Sequence, residues 1–531
     1  STRPSQHPCV TIHHPTVDRD SIGHLHQTVQ PTPFSTSHHI TPLTPILLPK
    51  GRLKFLSLST GPETGVDRLM ADFTGDDTPG VVVGVLDDGE LVFQKAYGMA
   101  NLTDGIPFET DTRSNIGSVT KQFTAMGILL LEAESKLSLD DDIRKHLPEL
   151  KDFGTHVTIR NLLNHTGGYR EVFNLLAMTG FQGEDALHRD MMIQIVQRQP
   201  ELQSQPNTEF NYNNTGYILL ATTIARLSGM PFPEYMRTHV FEPLGMMDTR
   251  VTARQGEVIP HSAQGHQPLP EGGFRSTRDL GGAGGAGGIY TTVEDLAKWM
   301  KNFSDAKLGG TEAIAAITTP AILENGASTG YGLGMGVGLF GGRLVYTHTG
   351  GDSAHRAFFA YFPGLKSGVV IMSNHAAFDL AVGFDVARLF FGDQMAGTDE
   401  VTVPSETFGP VDPSAAHPRA WMPGVRADAQ PLTTKQLEEL SGRYYCVELE
   451  TAYEIRLEEG ELKAYGFRVG PITLKRLQGD DFTSSAFFFA NMSFKRAEDG
   501  SVSGFMASNG RTRDVWFNRH GRGDPPSDHL R

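Results

Sequence analysis

Ser118-Val-Thr-Lys121-Gln-Phe-Thr-Ala-Met-Gly-Ile-Leu-Leu-Leu131 sets a serine and a lysine three positions apart at the mouth of a strongly apolar helical run. Residues three apart on a helix share a face, so the lysine amine stands within reach of the serine hydroxyl and can take its proton. The same spacing recurs at Ser304-Asp-Ala-Lys307, but there Lys307 runs into Leu-Gly-Gly, where a helix ends. Only Ser118 has a buried helix to stand on. It is the candidate nucleophile, and Lys121 is its candidate base.

Upstream, Pro79-Gly-Val-Val-Val-Gly-Val-Leu-Asp-Asp-Gly-Glu-Leu-Val-Phe-Gln-Lys-Ala-Tyr-Gly98 places two β-branched, apolar runs on either side of Asp-Asp-Gly-Glu, which reads as a β-hairpin. A short amphipathic helix precedes it at 66–73. Helical patterns follow at 118–136 and 214–228, with shorter ones at 186–198 and 293–303. Strand-like runs return at 343–348, 356–362 and 367–373. Strands at both ends with helices between them predict an α+β domain over 63–395, in which one antiparallel sheet is closed by the two ends of the segment around a helical insert.

The stretch 396–433 is rich in Pro, Asp, Ala and Thr and reads as a linker. Beyond it, Tyr453-Glu-Ile-Arg-Leu457 alternates apolar with charged, Glu-Glu-Gly-Glu turns, and Met492 to Met506 repeats the plan around Glu-Asp-Gly. Residues 434–520 are therefore expected to form a small antiparallel β domain of barrel type. Nothing in it offers catalytic groups at motif spacing; it is expected either to shape the cleft, gating access for bulky substrates, or to mediate oligomerisation. The tail 521–531 contains Arg522-Gly-Asp524, a chance occurrence in a polar segment. Residues 1–62 are rich in His, Pro, Thr and Ser, and their scattered histidines lack the paired Cys or carboxylates of a metal site. They read as a solvated extension.

At 531 residues the chain is too long for one ordinary domain. A formal charge of -15 repels nucleic acid and anionic membrane surfaces, so the expected partner is a small molecule or a peptide. Two cysteines, Cys9 and Cys446, at opposite ends of the chain argue against a disulfide framework or a structural zinc site. No apolar run approaches the roughly 20 residues that span a bilayer. The first residues show no charged start followed by an apolar segment, so a signal peptide is absent or removed. That leaves a cytoplasmic or periplasmic location open, as well as the oligomeric state.

Two further segments complete a constellation: Phe210-Asn-Tyr212-Asn213-Asn214-Thr-Gly-Tyr217 and Leu344-Val-Tyr-Thr-His348-Thr349-Gly350-Gly351. Ser-x-x-Lys, Tyr-x-Asn and His-x-Gly in this order resemble the serine β-lactamase and penicillin-binding-protein superfamily. His165-Thr166-Gly167 also spells the third motif, but it lies in Asn161-Leu-Leu-Asn-His-Thr-Gly-Gly-Tyr169 between helices and reads as structural. The resemblance runs from about 65 to 395. It includes Gly287-Gly-Ile-Tyr-Thr-Thr-Val-Glu-Asp-Leu-Ala-Lys-Trp299, Tyr331-Gly-Leu-Gly334 and Phe362-Pro-Gly364, which look like accessory signatures of this group. The Gly281 to Gly288 run is either a flexible loop or a close backbone approach to substrate.

From the residues, a neutral Lys121 deprotonates Ser118 and the Tyr212 phenol shuttles the proton to the leaving group. The Ser118 and Gly351 backbone N–H groups, beside Gly350, are the candidate oxyanion hole. The resemblance implies that Asn214 orients substrate amides or Lys121. His348 stands where penicillin-recognising enzymes carry lysine, so the permanent cation for a substrate carboxylate is replaced by a group only partly charged near neutral pH. That departure resembles the D-aminopeptidases, esterases and peptide hydrolases of the superfamily. It implies a serine hydrolase without metal or cofactor, acting through an acyl-enzyme on small or linear peptides, including D-residue peptides such as linearised microcystin. A carboxylesterase on short acyl esters and a slow-turnover penicillin-binding protein are the alternatives.

Overall fold

In the computed structural model, which describes residues 61–395 and 431–520 apart from 184, 253, 282 and 283, the expected hairpin forms from β1 (Val81–Asp87) and β2 (Glu90–Tyr97). Asp88 and Gly89 join them, both at positive φ (44° and 83°), the tight turn whose twist matches that of the flanking strands. The late strands are β3 (Gly336–Phe340), β4 (Arg343–Asp352), β5 (His355–Phe362) and β6 (Ser367–Ser373). They stand in the order β3-β4-β5-β6-β1-β2, every neighbour antiparallel. Val81 pairs with Ser373 and Leu86 with Gly368, so the early hairpin closes a sheet whose other four strands lie more than 200 residues downstream. The α+β reading holds.

Alternation along the strands feeds two cores. Val81, Val83 and Val85 face Val66 of α1 (Pro62–Leu69) and Phe384 and Phe391 of α5 (Val382–Phe391). Val82, Phe359, Val370 and Met372 face the helical insert: Phe123 of α2 (Thr120–Ala133), and Trp299 and Phe303 of α4 (Val293–Asp305). Gly84 lets α4 lie on β1, since a methyl group there would collide with the Val293 side chain. The third long helix, α3 (Thr215–Ser228), packs beside α2. The helix expected from 118 begins later. Gly117–Val119 is a 3-10 turn with Gly117 at positive φ, because the chain must pass tightly over β4 before α2 can start.

Eight antiparallel strands, from Gly442–Cys446 to Val515–His520, close the expected barrel. A barrel of eight strands is about the size that side chains fill. Tyr444, Tyr453, Phe489, Phe494, Phe505 and Phe517 fill this one, with Phe505 and Phe517 stacked at 4.6 Å between ring centroids. Its rim docks on the helical insert. Buried Arg170 donates from Nη1 to both Glu448 carboxylate oxygens (3.3 and 3.2 Å), from Nε to the Arg513 carbonyl (2.8 Å) and from Nη2 to the Asp514 carbonyl (3.1 Å). Tyr453 O–H donates to the Met178 carbonyl (2.9 Å). Among the described residues no helix is long and apolar enough to cross a membrane. Residues 1–60 of the expected N-terminal extension, most of the expected linker and the Arg522-Gly-Asp524 tail lie outside the described residues, and Pro62, the last residue of the expected extension, opens α1.

Candidate active site

Ser118 sits in the 3-10 turn that leads into α2, and Lys121, one turn on, is fully buried. Lys121 Nζ lies 3.0 Å from Ser118 Oγ, 2.8 Å from Asn214 Oδ1 and 2.8 Å from the Ala286 carbonyl oxygen. Burial first, and then the Arg511 guanidinium, hold the Lys121 pKa well below the usual lysine range, while the Glu171 carboxylate acts the other way. A neutral amine has two N–H groups and one lone pair. Asn214 Oδ1 and the Ala286 carbonyl can only accept, so they take both N–H groups and the lone pair is left facing the Ser118 hydroxyl.

The Gly281 to Gly288 run resolves through Ala286. The Gly285–Ala286 backbone lies against α2 and α3: the Gly285 carbonyl accepts from Thr124 Oγ1 (2.8 Å), and a methyl on Gly285 would press on Ala221 and the Tyr217 carbonyl. Its chemical contribution is a carbonyl aimed at the lysine.

Asn214 precedes α3, and its amide cannot turn freely. Asn214 Nδ2 donates to Glu171 Oε1 (2.8 Å), which leaves Oδ1 for Lys121. Glu171 is itself held, since Oε2 accepts from the Asn174 N–H (2.9 Å) as the N-cap of the helix Val172–Met178. Tyr212 is buried beneath the pair, with its ring centroid 5.0 Å from Lys121 Nζ. Burial raises the phenol pKa and a hydrogen bond with Ser118 draws it partway back, so the group stays protonated and touches the candidate nucleophile.

His348 lies on β4, buried, with both ring nitrogens engaged. Nδ1 is 2.6 Å from the Thr349 carbonyl, which can only accept, so that nitrogen carries the proton and Nε2 accepts from the Tyr331 O–H (2.9 Å). Burial and then the Lys121 charge hold its pKa down at about 3. The partial charge expected from its sequence position is removed. His165, at the other His-Thr-Gly, is also buried; its ring packs 4.2 Å from that of Tyr212 and its Nδ1 accepts from the Asn213 N–H (3.3 Å). It forms the floor under the phenol.

β4 pairs with β3 only as far as Thr347, so its last residues keep one backbone edge free of a neighbouring strand. The Gly117–Ser118 turn occupies that edge. A methyl on Gly350 would collide with the Ile116 carbonyl and approach the Ser118 nitrogen at 3.0 Å; one on Gly117 would collide with the Gly351 nitrogen. The second Ser-x-x-Lys is at the surface: Ser304 Oγ donates to the Lys301 carbonyl (2.9 Å) on an exposed helix end.

Motif reasoning brings Ser118, Lys121, Tyr212, Asn214 and the Gly350-Gly351 backbone to one place and misses three groups there. Tyr331 belongs to a quoted signature, but its bond to His348 had no sequence signal. Glu171 had none either. The third is Arg511, from the loop between the barrel strands Val502–Ser508 and Val515–His520; its guanidinium lies 4.9 Å from the centre of the Tyr212 ring. The β domain, which has no catalytic groups at motif spacing, nonetheless brings this guanidinium to the site. The loop is stitched to the insert: the Glu171 N–H donates to Thr512 Oγ1 (3.0 Å), Gln203 Nε2 donates to the Arg511 carbonyl (3.1 Å), and Arg513 pairs with Glu209. Among the described residues no group of three His, Cys, Asp or Glu side chains is placed to hold a metal ion.

A protein-family model described as Beta-lactamase matches residues 66–389. A D-aminopeptidase of Gluconobacter oxydans is 27% identical over 319 residues, covering 60% of this chain and 59% of that protein. Penicillin-binding protein 4* of Bacillus subtilis is 28% identical over 302 residues, covering 54% of this chain and 66% of that protein. The chain thus spans less than two thirds of the length of these curated relatives. Among solved structures, the octameric penicillin-binding protein homologue from Pyrococcus abyssi superposes with a TM-score of 0.56 at 22% identity, over 86% of this chain and 98% of that one. That likeness is one of fold.

Proposed function

The chain belongs to the Beta-lactamase family, and from that membership we propose that it is a serine hydrolase that cleaves amide bonds in small or linear peptides, D-residue peptides among them, through an acyl-enzyme on Ser118. The observation that carries the reading is the disposition of Lys121: two carbonyl acceptors and one hydroxyl, in a site that disfavours the ammonium form.

In the proposed cycle Lys121 takes the Ser118 proton as Oγ attacks the substrate carbonyl. The oxyanion is received by the Ser118 and Gly351 N–H groups, each such donor typically being worth about 2.7–4 kcal/mol of transition-state stabilisation. The proton passes through Tyr212 to the leaving amine, and water hydrolyses the acyl-enzyme. Asn214 holds Lys121 in place, and His348 with Tyr331 supports β4 beside the turn. The D-aminopeptidase relative supports an amide substrate, and the neutral His348 supports a site unlike that of penicillin-recognising enzymes with lysine there. This support reaches the class of bond and does not extend to linearised microcystin.

The test is a digest of short L- and D-peptides and their amides by the wild-type chain and Ser118→Ala, read by mass spectrometry. Cleavage lost in the variant is the expected result, and turnover retained in it overturns the mechanism. Ester turnover with no peptide or amide cleaved rejects the peptidase reading for the esterase one. A long-lived β-lactam adduct on Ser118 with negligible turnover points to the penicillin-binding alternative.

A further inference from the structure

Arginines along the barrel interface are paired: Arg170 with Glu448, Arg513 with Glu209, Arg198 with Glu450 and Arg468 with Asp185. Arg511 differs. Its guanidinium lies over the face of Tyr212 and has no ion pair or hydrogen bond to any described residue. The carboxylates near it are spent, Glu209 on Arg513 and Glu171 on Asn214 and Asn174.

The loop that presents Arg511 is built to hold still. Asn509 Oδ1 accepts from the N–H groups of Arg511 and Thr512 (both 2.9 Å), and the Asn509 N–H donates to the Thr512 carbonyl (2.7 Å). Thr512 and the Arg511 carbonyl are tied to Glu171 and Gln203 of the insert. A partly exposed arginine on a fixed turn presents its fork of donors at little entropic cost, and guanidinium geometry matches a carboxylate bidentately. Lys121 is neutral in the proposed cycle and His348 is neutral by burial, so neither offers a fixed charge to an anionic substrate.

We propose that Arg511 is the receptor for a substrate carboxylate on the leaving-group side of the scissile amide: the free α-carboxylate of a C-terminal residue, or an acidic side chain at that position. The side follows from Tyr212. The phenol that hands its proton to the leaving amine is the same ring on which Arg511 rests, so the guanidinium lies within about one residue of the departing nitrogen. The barrel thus returns the cation that the His348 strand lacks. This inference rests on the amide-hydrolase reading and deepens it.

The experiment compares kcat/KM for three peptides with the same acyl side: a free acid, its C-terminal amide, and an amide carrying Asp after the scissile bond. A second pair, 4-acetoxybenzoate and its methyl ester, puts the same charge difference on an ester leaving group. Wild-type enzyme is expected to favour the carboxylate member of each pair, mainly through KM. In Arg511→Ala and Arg511→Gln that preference falls roughly ten- to hundredfold, the size of a charged hydrogen bond, and Arg511→Lys restores part of it. The free acid and the Asp amide separate the two sources of carboxylate. A wild-type preference near one, or one unchanged in the variants, overturns the proposal. Peptides left uncut while both esters turn over reject the amidase reading alone, and the ester pair then decides Arg511.

Discussion

Glu171 fixes the orientation of Asn214: Oε1 of the one accepts from Nδ2 of the other at 2.8 Å, and the Asn214 oxygen is thereby turned to Lys121. The carboxylate does this from a buried position, and its charge also raises the lysine pKa against the effects of burial and Arg511. Glu171→Gln removes the charge and permits the amide to turn. The chemistry needs neutral lysine, so a lower lysine pKa moves the acidic limb of kcat/KM to lower pH, while the looser amide lowers kcat. pH profiles of the two enzymes check this, and an acidic limb moving to higher pH contradicts the sign.

Tyr212→Phe removes the phenol and keeps the ring that packs on His165. Loss of a positioned proton shuttle is expected to cost about 10²–10⁴-fold in kcat, with KM changed little. Steady-state kinetics on an amide and on an activated ester separates the effects, because a good leaving group needs the proton less.

Gly350→Ala sets a methyl against the Ile116 carbonyl and the Ser118 nitrogen. The nucleophile's turn must shift, and a misplacement near 1 Å costs on the order of 100-fold in rate. Gly364→Ala, where a methyl meets nothing, is the matched control. Activity of the two variants at equal melting temperature is the measurement.

Arg170→Met leaves Glu448 buried without its partner and strips donors from the Arg513 and Asp514 carbonyls. Breaking a buried pair from one side costs about 3–5 kcal/mol. A clear fall in melting temperature is expected, part of it recovered in Arg170→Met with Glu448→Leu.

His348 and His355 are both buried, with pKa values held down at about 3 by burial. Their folded-state values lie below the unfolded value of about 6.5, so the unfolded chain binds more protons as pH falls through that window. Stability is expected to drop progressively from about pH 6.5 toward pH 3. Chemical denaturation at a series of pH values checks the slope.

The sheet was legible because its strands alternate or run apolar in short stretches bounded by turns, and the Asp88-Gly89 turn announces its own geometry. Ser118, Lys121, Tyr212 and Asn214 were legible as short spacings on elements that read clearly. Glu171 and Arg511 were not, because their roles exist only through space: Thr512, next to Arg511, bonds to a residue 341 positions earlier. The charge of His348 was misjudged for a related reason. Its residue type was visible, whereas the burial that sets its protonation belongs to the folded state.

The dock between the helical insert and the barrel rim has a consequence for how such a protein is made. Synthesis runs from the hairpin to the barrel, so a chain grown as far as α5 already holds Ser118, Lys121, Tyr212 and Asn214, all supplied by its first domain. The loop with Arg511 and Thr512 arrives among the last strands and is clamped in place by Arg170, Glu171 and Gln203 of the insert. Reactivity is thus encoded early and discrimination late, and a ribosome that stops short would release a nucleophile without its chaperoning charge.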